Sequence, residues 1–303
     1  MYYFETSVWL FSAEFRYKSE LVLVQTIRTK ASEQGKRPIR GLTILNQELF
    51  VATEFSSEVE VFDTIAHKLS FIPRWNLREL VDAANIGSCH RNKCLYIFDN
   101  KKSVGQSKEI LRVNPAGLLV KKWSTGTDRG RLSVTDKLNI IVIIPDKNKF
   151  IEYSPIGQLI REISLSSAPG IRHPLHAIKL ANGHFVVSHG YTQHSDGHGV
   201  CIVDGDGILV KSFDPKSGSV VGQINDPVCL FVDESGFVMV TDQLKSRVLL
   251  LDSDLEFKRE ILSRKEQHEL RRPSNILLDE LKGRLFLADN EANNGRVLIF
   301  DFK

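Results

Sequence analysis

Cysteine is scarce, with four residues (Cys89, Cys94, Cys201 and Cys229) scattered through 303. So few, so spread, exclude the disulfide framework that holds small secreted domains together. Cys89 and Cys94 are spaced to face each other across a hairpin, yet buried free thiols are the plainer reading. No Asn-x-Ser/Thr sequon occurs. No apolar run approaches the roughly 20 residues that span a bilayer. Residues 1–13 lack the cationic start of a secretory signal. These absences point to a reduced, cytoplasmic setting with no membrane partner. A dominant charge is lacking too: the net charge is +3, so any basic surface must arise from uneven placement. There is no Gly-rich phosphate loop ahead of a helix, no nucleophile elbow and no Cys/His zinc spacing. No cofactor is implied.

What the chain does have is strands. From Leu21 onward, short β-branched or aromatic runs alternate with Gly, Pro, Asn and Asp, and helical periodicity is nearly absent. The clearest unit is 225–262. Strands at 228–232, 237–241, 247–251 and 256–262 are separated there by Glu234-Ser235-Gly236 and Asp252-Ser253-Asp254. The pattern recurs at 173–213 and 271–302. Three turns before a fourth strand are alike: Asn114-Pro115-Ala116-Gly117, Ser154-Pro155-Ile156-Gly157 and Asp204-Gly205-Asp206-Gly207. Each ends on a Gly that accepts positive φ. Aligning the second strands places the mouth of each first strand at Arg40, Ile86, Arg131, His176, Cys229 and Asn275. These lie roughly 45 residues apart, with one longer interval after His176.

Six such units predict an all-β, six-bladed β-propeller with four antiparallel strands per blade. The blades fall at approximately 38–73, 84–123, 129–165, 173–213, 226–262 and 272–303. The last blade lacks a fourth strand, and 20–28 has the missing strand's character. It is expected to pair with that blade and close the ring. Residues 1–19 lie outside the pattern, as an arm on the rim or the remnant of a longer chain.

Within this text, Pro273, Gly283, Ala288-Asp289, Asn294-Gly295-Arg296-Val297 and Phe300-Asp301 follow one another in order. Pro227, Gly236, Thr241-Asp242, Arg247-Val248 and Leu251-Asp252 repeat that order. The sequence resembles the NHL-repeat family over about residues 20–303. The likeness is clear in blades four to six and degenerate in one to three. The resemblance implies an NHL-type propeller like that of tripartite-motif proteins, used to bind protein or RNA. The RING, B-box and coiled coil that precede it in those proteins have no counterpart here, so ligase activity is not implied. The Asp and Arg positions read as structural, the Asp capping turn N–H groups and the Arg crossing to a neighbouring blade.

In a propeller, the inter-blade loops share one face with the loops between second and third strands. Here the inter-blade loops carry more Lys and Arg than Asp and Glu, while the rest of the chain is acidic. The candidate partner-binding residues on this basic face are Arg37, Arg40, Arg129, Arg131, His176, Arg271 and Arg272. Phe55, Trp75 and Tyr191 are candidate aromatic neighbours. An anionic partner would suit them, either a protein or peptide or, alternatively, single-stranded RNA. Solvated loops also carry Lys and Arg without any partner. The long interval reflects an insertion in blade four. Its residues His189, Tyr191, His194 and His198 form a candidate specificity loop, and a metal site there matches no established zinc spacing.

The expected function is therefore a non-catalytic binding platform, monomeric as an isolated domain. The alternative is a metal-dependent hydrolase or lyase of the gluconolactonase-like or amidoglycolate-lyase-like six-bladed type. The mouth positions oppose it, because none is a carboxylate and only one is a histidine.

Overall fold

The computed structural model describes residues 17–72, 77–100, 108–126, 130–165, 170–190, 197–213, 223–264, 270–292 and 294–303. The turns set the strand boundaries. Gly117, Gly157 and Gly207 have φ of 80°, 81° and 82°. Each donates its N–H back to the carbonyl of the residue that opens the turn. The side chains of Asn114 and Asp204 accept from the N–H groups two and four residues on. Blade five builds the same turn on Asp252, with Leu255 at φ 58° in the glycine's place. A left-handed residue bearing a Cβ costs about 1–2 kcal/mol. Burial of the Leu255 side chain, 2% exposed, offsets that cost.

The strands assemble into six four-stranded antiparallel sheets, a six-bladed propeller. In five sheets the strands follow chain order. The sixth takes Leu21–Arg28 as its outer strand, paired with Asn294–Phe302 from Leu21↔Phe302 to Arg28↔Arg296. The N-terminal strand thus closes the ring. Tyr17 packs on Phe237 and Phe302 and donates its hydroxyl to Asp233 at 2.7 Å, so the segment entering that strand is fixed over blades five and six.

Each middle strand is covered on both faces by neighbouring blades, which is why Ile140–Ile144 and Arg247–Leu251 are buried throughout. The core is accordingly divided into six apolar clusters, one at each seam between blades. Phe150 and Phe185, with ring centroids 4.7 Å apart, mark the seam of blades three and four. The outer strands Leu119–Ser124, Leu159–Ser164 and Leu209–Ser212 are mostly exposed, and each carries Lys or Arg that discourages edge-to-edge pairing.

The segment between the closing strand and blade one holds a short helix, Lys30–Gly35, that the sequence pattern does not reveal. The Thr29 hydroxyl caps it by accepting from the Ser32 N–H, and Lys36 ends it in the left-handed conformation. All four cysteines are buried and free, with Cys89 and Cys94 directly opposite in their hairpin. No helix among the described residues is long and apolar enough to cross a membrane.

Candidate functional site

The inner strands surround the axis: Ile39–Leu45, Ala83–Cys89, Leu132–Val134, Pro174–Lys179, Pro227–Val232 and Pro273–Asp279. Five of them carry a bulge at their upper end. The bulge places two residues opposite one and shifts the register by one. By strand pairing the mouth positions of blades one and two are Gly41 and Asn85, which pair with Ala52 and Phe98, and not Arg40 and Ile86 as the spacing suggests; the spacing falls one residue early in blade one and one late in blade two. Arg131, His176, Cys229 and Asn275 keep their places. Gly41 is required because a Cβ there would stand 2.7 Å from the backbone nitrogen of Ile86.

These residues form a polar ring that laces the blades together. Asn275 and Asn85 both donate to the Arg40 carbonyl, at 2.8 and 3.1 Å. Asn85 Oδ1 accepts from the Leu132 N–H at 3.2 Å. His176 Nδ1 accepts from the Leu230 N–H at 3.1 Å, and the ring also bonds the Leu132 backbone. Cys229 Sγ lies 3.7 Å from Asn275 Oδ1. Burial, and next the charge of Arg131, pulls the His176 pKa down to about 3. His176 is thus a neutral strut between blades three and five, without a free ring nitrogen to offer a partner. Below the ring an open axial cavity of about 250 Å³ is lined by Thr43, Ser88, Ser133, Asp136 and Lys179 together with apolar side chains.

Arg131 behaves differently. Its guanidinium crosses the axis from blade three to the opposite blade and donates to the Ser274 carbonyl at 3.4 Å, a long bond. Among the described residues it has no ion-pair partner. Burial, with Arg40 nearby, lowers its proton affinity, while Cys229 and Asp226 act the other way.

The remaining basic candidates are largely engaged within the protein. Arg40 pairs with Glu54 at 2.8 Å and Arg271 with Glu291 at 3.3 Å. Arg37 donates to the Phe55 carbonyl, and Arg272 to Gln243 Oε1 at 3.0 Å. Phe55 is 45% exposed on this face. Arg129, Trp75, Tyr191 and His194 lie outside the described residues.

Of the blade-four insertion, the two ends are described. His189 is buried rather than solvated. Its Nδ1 lies 3.0 Å from the Gly197 carbonyl, and burial lowers its pKa to about 4. His198 Nδ1 lies 2.8 Å from Asn225 Oδ1 and 3.1 Å from the Asp226 backbone nitrogen. Both histidines anchor the base of the loop. Among the described residues no group of three or more His, Cys, Asp or Glu is arranged to hold a metal.

The repeat's own Asp and Arg are structural. Asp289 Oδ1 accepts from the N–H groups of Arg271 and Arg272, and its Oδ2 from Arg296 of the same blade. Asp242 likewise caps Asn225 and takes Arg247 at 2.8 Å. The capping is as expected, but the guanidinium pairs across strands within its own blade instead of crossing to the next.

Sequence reasoning missed Asp226. It is 2% exposed, with φ of 64° immediately before Pro227. Its carboxylate lies near Arg131, Arg272 and His198, and no described residue bonds it. Burial raises its pKa, against the pull of those neighbours. The signal available was an acid directly before the Pro that opens an inner strand.

No family model matches the chain, and no curated protein matches it either. Solved structures do. Virginiamycin B lyase from Staphylococcus aureus is 10% identical, covering 94% of this chain and 100% of its own at a TM-score of 0.62. The PQQ-bound aldose sugar dehydrogenase from Streptomyces coelicolor is 10% identical, covering 95% and 99% at 0.60. A nidogen/laminin complex contains a chain 12% identical, covering 78% and 83% at 0.55. At such identities the likeness is one of fold, and these neighbours include both enzymes and a member of a protein complex.

Proposed function

We propose that the loop face is a non-catalytic platform for a protein or peptide with acidic groups, centred on Arg131. The observation that carries this reading is a partly buried guanidinium that crosses the axis, bonded by one long contact and, among the described residues, left without an ion-pair partner. A guanidinium with donors left over can take a carboxylate in bidentate fashion. The resemblance to NHL repeats supports the same use of the face. Single-stranded RNA is the second reading, favoured by exposed Phe55 beside Arg37, an aromatic next to a cation. The test is affinity capture, with recovered proteins and RNAs identified separately, comparing the wild type with Arg131→Glu. Loss of protein partners in the variant supports the platform, and loss of RNA alone favours the second reading. The enzymatic alternative is a metal-dependent hydrolase or lyase. Elemental analysis tests it: stoichiometric metal favours it, and metal-free protein indifferent to added zinc and calcium counts against it.

A further inference from the structure

We propose that Cys89 and Cys94 are a reversible redox pair, which hydrogen peroxide joins in a cross-strand disulfide that locks the first hairpin of blade two. The pair is independent of the loop face and of what binds there.

The strand register brings the two together. Ala83–Cys89 and Cys94–Asp99 form an antiparallel hairpin, and Cys89↔Cys94 is its last pair before the turn. Residues directly opposite in such a ladder have Cα atoms about 4.5 or 5.5 Å apart, and a disulfide takes roughly 4.4–6.8 Å. Opposite side chains leave the same face of the sheet, and both of these enter the apolar seam between blades two and three. The link therefore needs side-chain rotation and no movement of the backbone. The other cysteines lack such a neighbour: Cys201 stands opposite Val187 and Ser212, and Cys229 opposite Thr241.

The surroundings divide the roles. Cys89 Sγ accepts from the Asn92 N–H at 3.4 Å, a bond that favours a thiolate on Cys89. Burial pushes the Cys89 thiol up against that pull, so the pair rests reduced and reacts slowly. Both residues are 2% exposed, at the base of a turn in which His90, Arg91 and Lys93 are exposed. That burial selects a small uncharged oxidant. No third His, Cys, Asp or Glu among the described residues is arranged with them to hold a metal, which sets the pair apart from a zinc site.

The Cys89 sulfur attacks one peroxide oxygen, the O–O bond breaks, and the departing hydroxide leaves as water with the Cys89 proton. Cys89 is then a sulfenic acid. The Cys94 sulfur attacks it, the S–O bond breaks, and hydroxide leaves as a second water with the Cys94 proton. Two thiols and one peroxide thus give one disulfide and two waters. A dithiol reductant restores both thiols.

The test uses the full chain, reduced, freed of reductant and exposed to hydrogen peroxide, then denatured in iodoacetamide and cut with trypsin. Cleavage after Arg91 and Lys93 separates the two cysteines, so peptides 79–91 and 94–101 stay together only through a disulfide. That joined pair is expected, with Cys201 and Cys229 alkylated and the link lost in dithiothreitol. Cys94→Ser should stop at a sulfenic acid on Cys89 that dimedone traps, with far less trapped on Cys94 in Cys89→Ser. The linked chain is expected to melt about 2–4 °C above the reduced one. Four alkylated cysteines after peroxide overturn the proposal, as does a link that includes Cys201 or Cys229, or irreversible sulfinic acid in place of the link. Trapping mainly on Cys94 overturns the division of roles, and a linked chain that melts at or below the reduced one contradicts the lock. The wild-type peptide map decides the pairing whether or not the serine variants fold.

Discussion

The two faces of the propeller differ in charge, but they differ more in what the charges do. On the hairpin face a cleft of about 720 Å³ is lined by Asp136, Asp233, Glu234, Asp254 and Glu280. It looks like the stronger site by volume and by charge. Yet Asp233 accepts from the N–H groups of Ser235 and Phe237 and from the Tyr17 hydroxyl, and Glu280 accepts from the Glu234 N–H. Much of that acidity caps turns. On the loop face most of the Arg surplus is likewise engaged, by Glu54, Glu291, Gln243 and carbonyls. What the loop face has is Arg131, whose guanidinium crosses the axis to one long bond with the Ser274 carbonyl and, among the described residues, has no ion-pair partner. Counting charges does not by itself rank the faces, because a charge already bonded at home has little left for a partner.

The comparison can be broken in order of expected effect. Asp289→Ala should be the most destabilising change, because it leaves Arg296 buried without its carboxylate and uncaps Arg271 and Arg272. A loss of about 3–5 kcal/mol in urea unfolding is expected. A loss below about 1 kcal/mol, the scale of an exposed pair, would show that this pair is not the clamp described. Asp233→Ala removes a turn cap on the hairpin face and should cost about 1–2 kcal/mol with partner capture intact. Reduced capture at unchanged fold would move the binding surface to that face. Acid should weaken the protein through His176. Its folded pKa of about 3 lies below the unfolded value of 6.5, so its contribution is complete above pH 6.5 and is lost as pH falls toward 3. The slope is roughly 1.4 kcal/mol per pH unit for each such proton. His176→Gln should flatten urea stability against pH between about 6 and 4, and an unchanged slope would mean that His176 is not held neutral. The smallest effect belongs to the rim, where Arg40→Gln breaks a half-exposed pair and should change stability by less than about 1 kcal/mol. A larger loss in urea unfolding would give that pair a structural weight its exposure argues against.

The architecture was legible because its causes are local. A Gly four residues into Asn-Pro-Ala-Gly or Asp-Gly-Asp-Gly dictates a turn, and alternating turns dictate strands. Where the same turn is built on Leu255 the local signal is silent, and where loop lengths vary between blades the spacing misses Gly41 and Asn85 by one residue. The candidate site was legible only in part. Arg131 and His176 stand at the mouth as their spacing indicated, but their roles diverge for reasons a sequence does not carry. His176 meets backbone groups of two other blades, and Arg131 meets none of the carboxylates that neutralise Arg40 and Arg271. Asp226 escaped notice because its burial comes from packing between blades and leaves no local signal.

The most direct test sets the faces against each other: partner capture by the wild type, by Arg131→Glu and by Glu234→Lys on the hairpin face, each first shown to be folded by its thermal midpoint. Arg131→Glu is expected to lose its partners by more than roughly ten-fold, about 1.4 kcal/mol or more, while Glu234→Lys retains them. Retention by Arg131→Glu with loss in Glu234→Lys would contradict the account and assign the binding surface to the acidic cleft.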